Sequence, residues 1–169
     1  ILEQCFYHPK LSNSTKRFWK AQGVQGDLNA TTGKKWMSFE SDDIRNMWPV
    51  FKGESFDIWE PDRKESSYYA YINPATVQNL LQERRLHASN NHRSLWNQFP
   101  KAVIEDIATL PCNHPRIAFR GQSRATDSRT FRVALVPPKV ILVHSANHLV
   151  FTDGDTKDVS YVLGILSSL

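Results

Sequence analysis

Arginine residues cluster around a short polar segment that is predicted to be a turn. Five of them lie between residues 116 and 132: Arg116, Arg120, Arg124, Arg129 and Arg132. The planar guanidinium group donates paired hydrogen bonds to phosphate oxygens and to the edge of guanine. Residues of this type at this spacing therefore predict an outward surface that binds a polyanion.

Hydroxyl and carboxylate groups lie between these arginines. Thr126, Ser128 and Thr130 carry hydroxyls suited to phosphate contacts. Asp127 can hold a neighbouring arginine in position, or accept a hydrogen bond from a cytosine amino group. The spacing alone leaves open a simpler interpretation, in which a solvated arginine face carries a local pair between Asp127 and Arg129.

Basic residues are unevenly distributed along the chain. The net charge of the 169 residues is only +4, but ten basic and three acidic residues lie between Arg84 and Lys139. This stretch has a local excess of +7, and eight of its ten basic residues are arginine. We therefore expect a basic face from this stretch that includes Lys139, with further phosphate contacts from Lys52 and from Arg84 or Arg85.

Strands and helices must position these side chains, and the sequence indicates an α+β domain. Apolar and aromatic runs predict strands at 48–51, 56–59, 68–72, 117–120, 131–136, 140–143 and 149–151. A helix is predicted to start at Asn73-Pro74, a weaker one to cover 94–107, and a closing one to start at Thr156 or Asp158. Residues 1–35 read as irregular, and 1–47 are poorly assigned. The whole chain, 1–169, is expected to form one domain with a twisted mixed sheet flanked by a few helices.

Side chains alternate across a strand, which gives the predicted arginine surface a specific geometry. Arg116 and Arg120 should share one face of their strand, while Ile117 and Phe119 pack inward on the other. The arginines of the segment 121–129 should then crown the turn.

Several sequence blocks occur in an order that is similar to one protein family. The downstream blocks are Arg124-Ala-Thr-Asp-x-Arg129-Thr, Ala134-Leu-Val-Pro-Pro-Lys139-Val, Gly154-Asp-x-x-Asp158 and Tyr161-x-Leu-Gly164-Ile-Leu-x-Ser. The upstream blocks are Phe51-Lys-Gly-Glu-Ser-Phe56-Asp-Ile-Trp59-Glu-Pro, Leu81-Gln-x-Arg84-Arg85 and Leu110-Pro-Cys-x-x-Pro115-Arg-Ile-Ala-Phe119-Arg. From residue 48 to residue 169 the chain resembles the target-recognition region of type IIG restriction–modification enzymes, which are adenine-specific DNA methyltransferases.

This resemblance implies a bacterial, cytoplasmic module that recognises a double-stranded DNA sequence. The catalytic methyltransferase domain would lie elsewhere in the same parent chain, where S-adenosylmethionine would be the cofactor, and this fragment would need none of its own. The residues expected to contact DNA are Lys52, Arg84, Arg85, Arg120, Arg124, Thr126, Arg129, Arg132 and Lys139.

Catalysis by this chain alone is not expected. An Asn- or Asp-Pro-Pro-aromatic signature and a glycine-rich cofactor loop are absent from the sequence. Zinc held by Cys5, His8, Cys112 and His114 is a minor alternative, because neither pair has strong finger spacing. No apolar run approaches the roughly 20 residues that span a bilayer. From a different functional class, the alternative is a protein–protein interaction module that uses the basic surface.

Overall fold

The computed structural model describes residues 21–39, 44–123, 127, 131–151 and 156–168. Its strands are β1 (Ala21–Val24), β2 (Met37–Ser38), β3 (Trp48–Phe51), β4 (Ala70–Ile72), β5 (Arg116–Arg120), β6 (Val133–Val136), β7 (Ile141–Leu142) and β8 (Ala146–Phe151). Its α-helices are α1 (Pro74–Ser89), α2 (Lys101–Glu105) and α3 (Thr156–Ser168). Short 3₁₀ helices lie at Lys34–Trp36, Glu65–Ser67, Leu95–Gln98, Ile107–Thr109 and Pro111–Asn113. None of the helices in these ranges is long and apolar enough to cross a bilayer.

The strands form two four-stranded sheets within one α+β domain, so the predicted fold class is confirmed. One sheet is antiparallel, with the strand order β1-β8-β5-β6. The other has the order β2-β4-β3-β7 and is mixed, because β3 and β7 run parallel while its other pairs are antiparallel. The chain passes from one sheet to the other through residues 143–145, between β7 and β8.

Helix α1 begins where the sequence predicts it. The side chain of Asn73 accepts a hydrogen bond from the backbone N–H of Thr76 at 3.1 Å, and Pro74 occupies the first turn. Such a cap satisfies one of the backbone donors that a helix start leaves without a partner. Val77 is fully buried beneath the helix, in the core of the mixed sheet.

The predicted helix at 94–107 is wrong in its length. The chain instead forms the 3₁₀ helix Leu95–Gln98 and then the short α2. Pro100 separates them, because a proline disfavours helical backbone in the preceding residue, and Phe99 is extended with φ −89° and ψ 149°.

Two other expectations need correction. Residues 56–59 are not a strand but a tight turn, in which Asp57 and Glu60 exchange backbone hydrogen bonds of 2.8 and 2.9 Å. Within the stretch read as irregular, Ala21–Val24 forms β1 at the edge of the antiparallel sheet, paired with β8. The turn is closed by its own backbone hydrogen bonds, whereas the short β1 is a strand because it pairs with the distant β8.

Strand β5 has apolar side chains buried on both of its faces. Ile117 packs with Val133, Leu149 and Val162 in a core beneath α3. Ala118 belongs to a second core, which it shares with residues of β3, β6 and β7. The face of β5 that carries Ala118 therefore looks towards the mixed sheet rather than towards solvent.

Candidate functional site

Side chains alternate between the two faces of β5 as predicted, but the prediction that Arg116 points towards solvent is wrong. Ile117 and the half-buried Phe119 contribute to the core beneath α3, as expected. On the other face Arg116 is only 5% exposed, because the mixed sheet and the segment around Asp27 cover it. A strand buried on both faces cannot present that arginine to a polyanion.

Arg116 instead forms an ion pair in the interior with Asp27. Its two terminal nitrogens donate to the two carboxylate oxygens at 2.9 and 2.5 Å, and one of them also donates to the carbonyl of Val140 at 2.9 Å. Asp27 additionally accepts the backbone N–H of Leu142 at 2.8 Å. Burial raises the pKa of Asp27, but the charge and hydrogen bonds of Arg116 outweigh it and leave the pKa below its usual value. This pair ties β5 to the segment after β1 and to β7.

His148 lies against the same pair. Its Nε2 is 3.4 Å from a terminal nitrogen of Arg116, and its side chain is 3% exposed. Burial, and after it the positive charge of Arg116, lowers the pKa of His148 to about 3, although the negative charge of Asp27 acts in the opposite direction. The imidazole is therefore neutral at physiological pH, and a general acid–base role near neutrality does not fit it.

Three loops meet at the end of β5 that Arg120 occupies. We call their described residues, 52–67, 120–123, 127, 131–132 and 143–145, the loop cluster. The Nε of Arg120 donates to the carbonyl of Gly53 at 2.8 Å. The backbone N–H of Gly121 donates to the carbonyl of Ser145 at 2.9 Å. A Cβ atom at position 53 would meet the carbonyl oxygen of Ser145 at 2.8 Å, so this close approach requires glycine.

Carboxylates neutralise the described arginines of the loop cluster. Arg132 lies 2.8 Å from Asp57 and 3.6 Å from Asp127, and Arg120 lies 3.7 Å from Asp127. Arg63 extends this network, at 3.9 Å from Asp57. The side chains of Arg120 and Arg132 are only 16% and 17% exposed. These two guanidinium groups therefore do not project freely, as the sequence predicts, but hold loops together; their contact with DNA stays a prediction.

A cavity of about 320 Å³ opens within the loop cluster. Its lining is polar: Lys52, Gly53, Glu54, Arg120, Gln122, Ser123, Asp127 and Ser145. Lys52 forms an ion pair with Glu54 at 3.2 Å. Two cations and two carboxylates line this cavity, so its described wall has no net charge.

Trp59 is the most exposed large apolar side chain among the described residues, at 77%. It lies in the tight turn closed by Asp57 and Glu60 and has φ 61°, a value that a residue with a Cβ rarely adopts. Ion pairs hold the base of this turn, because Asp57 contacts Arg132 and Arg63 contacts Glu60 at 3.1 Å. The indole of Trp59 therefore projects from the domain instead of packing in its core.

The remaining expected DNA contacts do not converge on one surface. Arg84 is exposed on α1, where it donates to the carbonyl of Asp27 at 3.2 Å, while Arg85 is only 3% exposed and cannot contact phosphate. Lys139 is exposed but follows the far end of β6 from Arg132. Arg124, Thr126 and Arg129 lie outside the described residues.

Metal ligands do not converge in the described parts of the chain. No group of three or more His, Cys, Asp or Glu side chains there is arranged to hold a metal ion. Burial raises the pKa of the Cys112 thiol to about 12, and His114 contacts the carbonyl of Ala108 at 2.9 Å. Cys5 and His8, the other residues considered for zinc, lie outside the described ranges.

Comparison with known proteins adds no family assignment. No protein-family model matches the chain, and no curated protein matches its sequence.

Proposed function

We propose that this chain is a double-stranded DNA target-recognition module of an adenine-specific DNA methyltransferase or fused restriction–modification enzyme. One observation carries the proposal. Three blocks that resemble the same family region, which begin at Phe51, Leu110 and Arg124, contact each other in the loop cluster. Arg120, at the end of the second block, donates to Gly53 of the first across 67 residues of sequence and lies 3.7 Å from Asp127 of the third. Blocks that share a binding task are expected to meet in this way.

The proposal gives the arginines two different roles. Arg120 and Arg132 are positioning residues, because each fixes one end of the segment 121–131 to the loop that follows β3. Direct contacts to phosphates and base edges are assigned to Arg124, Thr126 and Arg129, on the strength of the sequence resemblance. Loops held by a rigid scaffold are common locations for binding residues.

Catalysis is assigned to another domain of the parent protein. That domain would bind S-adenosylmethionine and methylate the N6 atom of adenine, for which the base must leave the stack. The chain lacks the sequence signatures of both tasks, so this proposal places neither the cofactor nor the reacting base in it.

Duplex binding by the intact chain tests the proposal. The anisotropy of a labelled pool of random-sequence duplexes would be measured across a range of salt concentrations. Affinity should fall steeply with salt, because each neutralised phosphate adds about −0.9 to the slope of log K against log salt. Arg124→Ala and Arg129→Ala should each weaken binding by about 1–3 kcal/mol. Arg93→Ala is a matched control, since Arg93 is exposed in the same basic stretch but has no assigned contact.

A protein–protein module is the second candidate, and one observation favours it. Helix α3 exposes Tyr161 and Ile165, one turn apart, by 58% and 41%. Such a module should show little duplex binding at any salt concentration, and its binding should not respond to Arg124→Ala or Arg129→Ala. That outcome would overturn the DNA proposal.

A further inference from the structure

A second cavity lies between the antiparallel sheet, the start of α3 and the segment 96–115, away from the loop cluster. Its volume is about 300 Å³, which is at the lower end of the range for ligand sites. The residues that matter for its chemistry are Arg85, Trp96, Phe99, Val103, Arg116 and Ile117. The lining of this cavity is mostly apolar and includes two arginines but no Asp or Glu. We call it the arginine cavity.

Arg85 is a buried cation without a carboxylate partner among the described residues. Its terminal nitrogens donate to Thr109, to Gln82 and to the carbonyl of Asp106, at 2.9, 2.6 and 2.8 Å, and all three acceptors are neutral. Its side chain is 3% exposed, and the ion pairs of the described residues do not include it. Burial lowers the pKa of Arg85, and the negative charge of Asp106 opposes this only in part, without a side-chain hydrogen bond between the two. Arginine remains charged in proteins, so burial with only neutral hydrogen-bond acceptors carries a large desolvation cost.

Hydrogen-bond donors at this cavity also lack acceptors. In the described part of the chain, four buried side-chain nitrogen or oxygen atoms have no hydrogen-bond partner. Two of them are Nε atoms, one of Arg85 and one of Arg116, and both residues line the arginine cavity. A third is Nδ1 of His148, which lines an adjoining cavity of about 200 Å³ together with Arg85 and Trp96. Buried polar groups without partners are few in native proteins, and their concentration here indicates that something supplies acceptors.

The walls and the donors together specify the chemistry of the occupant. A guanidinium group can only donate hydrogen bonds, so the polar end of the occupant must accept them and complement the positive charge of Arg85. The rings of Trp96 and Phe99, with centroids 5.5 Å apart, and the side chains of Ile117 and Phe151 favour an apolar body. The volume suits a single ring or short branched chain better than a nucleotide.

We propose that the arginine cavity binds a small organic carboxylate, with its carboxylate at Arg85 and Arg116 and its apolar body against Trp96 and Phe99. This site is separate from the loop cluster and does not depend on the DNA proposal. Arg85 has a structural role as well, since it joins α1 to the residues around Thr109, and ligand binding would strengthen that connection.

Titration calorimetry with the intact chain tests this site. Benzoate and cyclohexanecarboxylate are the probes, and benzamide is the neutral counterpart of benzoate. The carboxylates should bind with Kd of about 1 mM or tighter, as expected for ligands of this size. Benzamide should bind at least tenfold more weakly. Arg85→Gln should weaken benzoate binding at least tenfold, whereas Arg84→Gln, a change at the exposed neighbouring arginine, should leave it unchanged.

A second variant and a second measurement keep the test decisive if Arg85→Gln does not fold. Val103→Phe adds bulk to the cavity wall without touching either arginine, and it should abolish benzoate binding. In the unsubstituted chain, benzoate should shift the NMR resonance of the Trp96 indole N–H. The proposal is overturned if neither carboxylate binds at a concentration ten times the expected Kd of about 1 mM. That result would mean that the cavity holds only water. The proposal is equally overturned if benzamide binds as well as benzoate, or if Val103→Phe leaves binding unchanged.

Discussion

The carboxylate of Asp57 lies 2.8 Å from a guanidinium nitrogen of Arg132, and this contact joins a tight turn after β3 to the segment that leads into β6. The two residues are 75 positions apart. Asp57 is 28% exposed and Arg132 17% exposed, so the pair is partly shielded from solvent. It is therefore expected to contribute more than an ion pair on the open surface.

A double-mutant cycle with Asp57→Asn and Arg132→Gln should give a coupling energy of about 1 kcal/mol, measured by urea unfolding. The exposed pair of Lys101 and Glu105, at 3.5 Å on α2, is the control and should give a coupling below about 0.5 kcal/mol. Equal coupling energies in the two cycles would contradict a structural role for the pair of Asp57 and Arg132.

Removing one partner of the buried pair of Asp27 and Arg116 should destabilise the protein strongly. Asp27→Asn leaves the guanidinium of Arg116 without a counter-ion at 5% exposure, which predicts a loss of about 3–5 kcal/mol in the free energy of unfolding. Chemical denaturation at neutral pH measures this loss. A loss below about 1 kcal/mol, typical of a surface pair, would show that the pair is not desolvated as the structure has it.

Stability should depend on pH below neutrality through His148. Its pKa is about 3 in the folded chain and about 6.5 when unfolded, so the unfolded chain binds the proton more readily between these values. The stabilisation is complete above pH 6.5 and is lost as the pH falls towards 3. His148→Gln should reduce the slope of unfolding free energy against pH in this window, whereas His87→Gln, a change at an exposed residue, should not. An unchanged slope in His148→Gln would mean that other groups cause the dependence.

Trp59→Gly should leave the protein equally stable or stabilise it by up to about 1 kcal/mol, because glycine adopts positive φ without a Cβ clash. At 77% exposure the indole loses little burial when it is removed. Thermal unfolding measures the change, and a strongly destabilised variant would argue against backbone strain at this position.

Asn73→Ala should cost about 1 kcal/mol, because it removes the side chain that accepts the N–H of Thr76 at the start of α1. Asn73→Ser should retain most of the stability, since serine also caps helices well. Urea denaturation of both variants measures the difference. Equal stability of the alanine and serine variants would show that the cap contributes nothing.

Local chemistry made some of this architecture predictable from sequence. The cap of Asn73 with the proline at 74 depends only on neighbouring residues, so the start of α1 was found. The alternation of β5 was also found, since adjacent side chains on any strand point to opposite faces. By contrast, the orientation of the face that carries Arg116 depends on Asp27, which lies 89 residues away in a stretch read as irregular. A cluster of arginines has the same sequence pattern whether its counter-ions are nucleic acid phosphates or carboxylates of the same chain.

The arginine cavity could not be predicted from the sequence for the same reason, since contacts between distant residues form it. The segment 94–107 looked like one helix, and only its division at Pro100 brings Trp96, Phe99 and Val103 to the wall of the arginine cavity. Arg85 looked like a phosphate ligand because its sequence position on α1 resembles that of Arg84. The two differ by one helical step of about 100°, which turns one outward and the other inward.

Residues 143–145 connect β7 of the mixed sheet directly to β8 of the antiparallel sheet, and the backbone N–H of Val143 donates to the carbonyl of Phe51 at 2.9 Å. The link therefore joins the edge strand β7, and through it the neighbouring β3, to the internal strand β8, so neither sheet can open without pulling on the other. Heating or denaturant should melt both together in a single cooperative step, with tryptophan fluorescence and far-ultraviolet circular dichroism giving the same midpoint. A ligand in the arginine cavity would consequently raise the melting temperature of the whole domain, including the distant loops that follow β3.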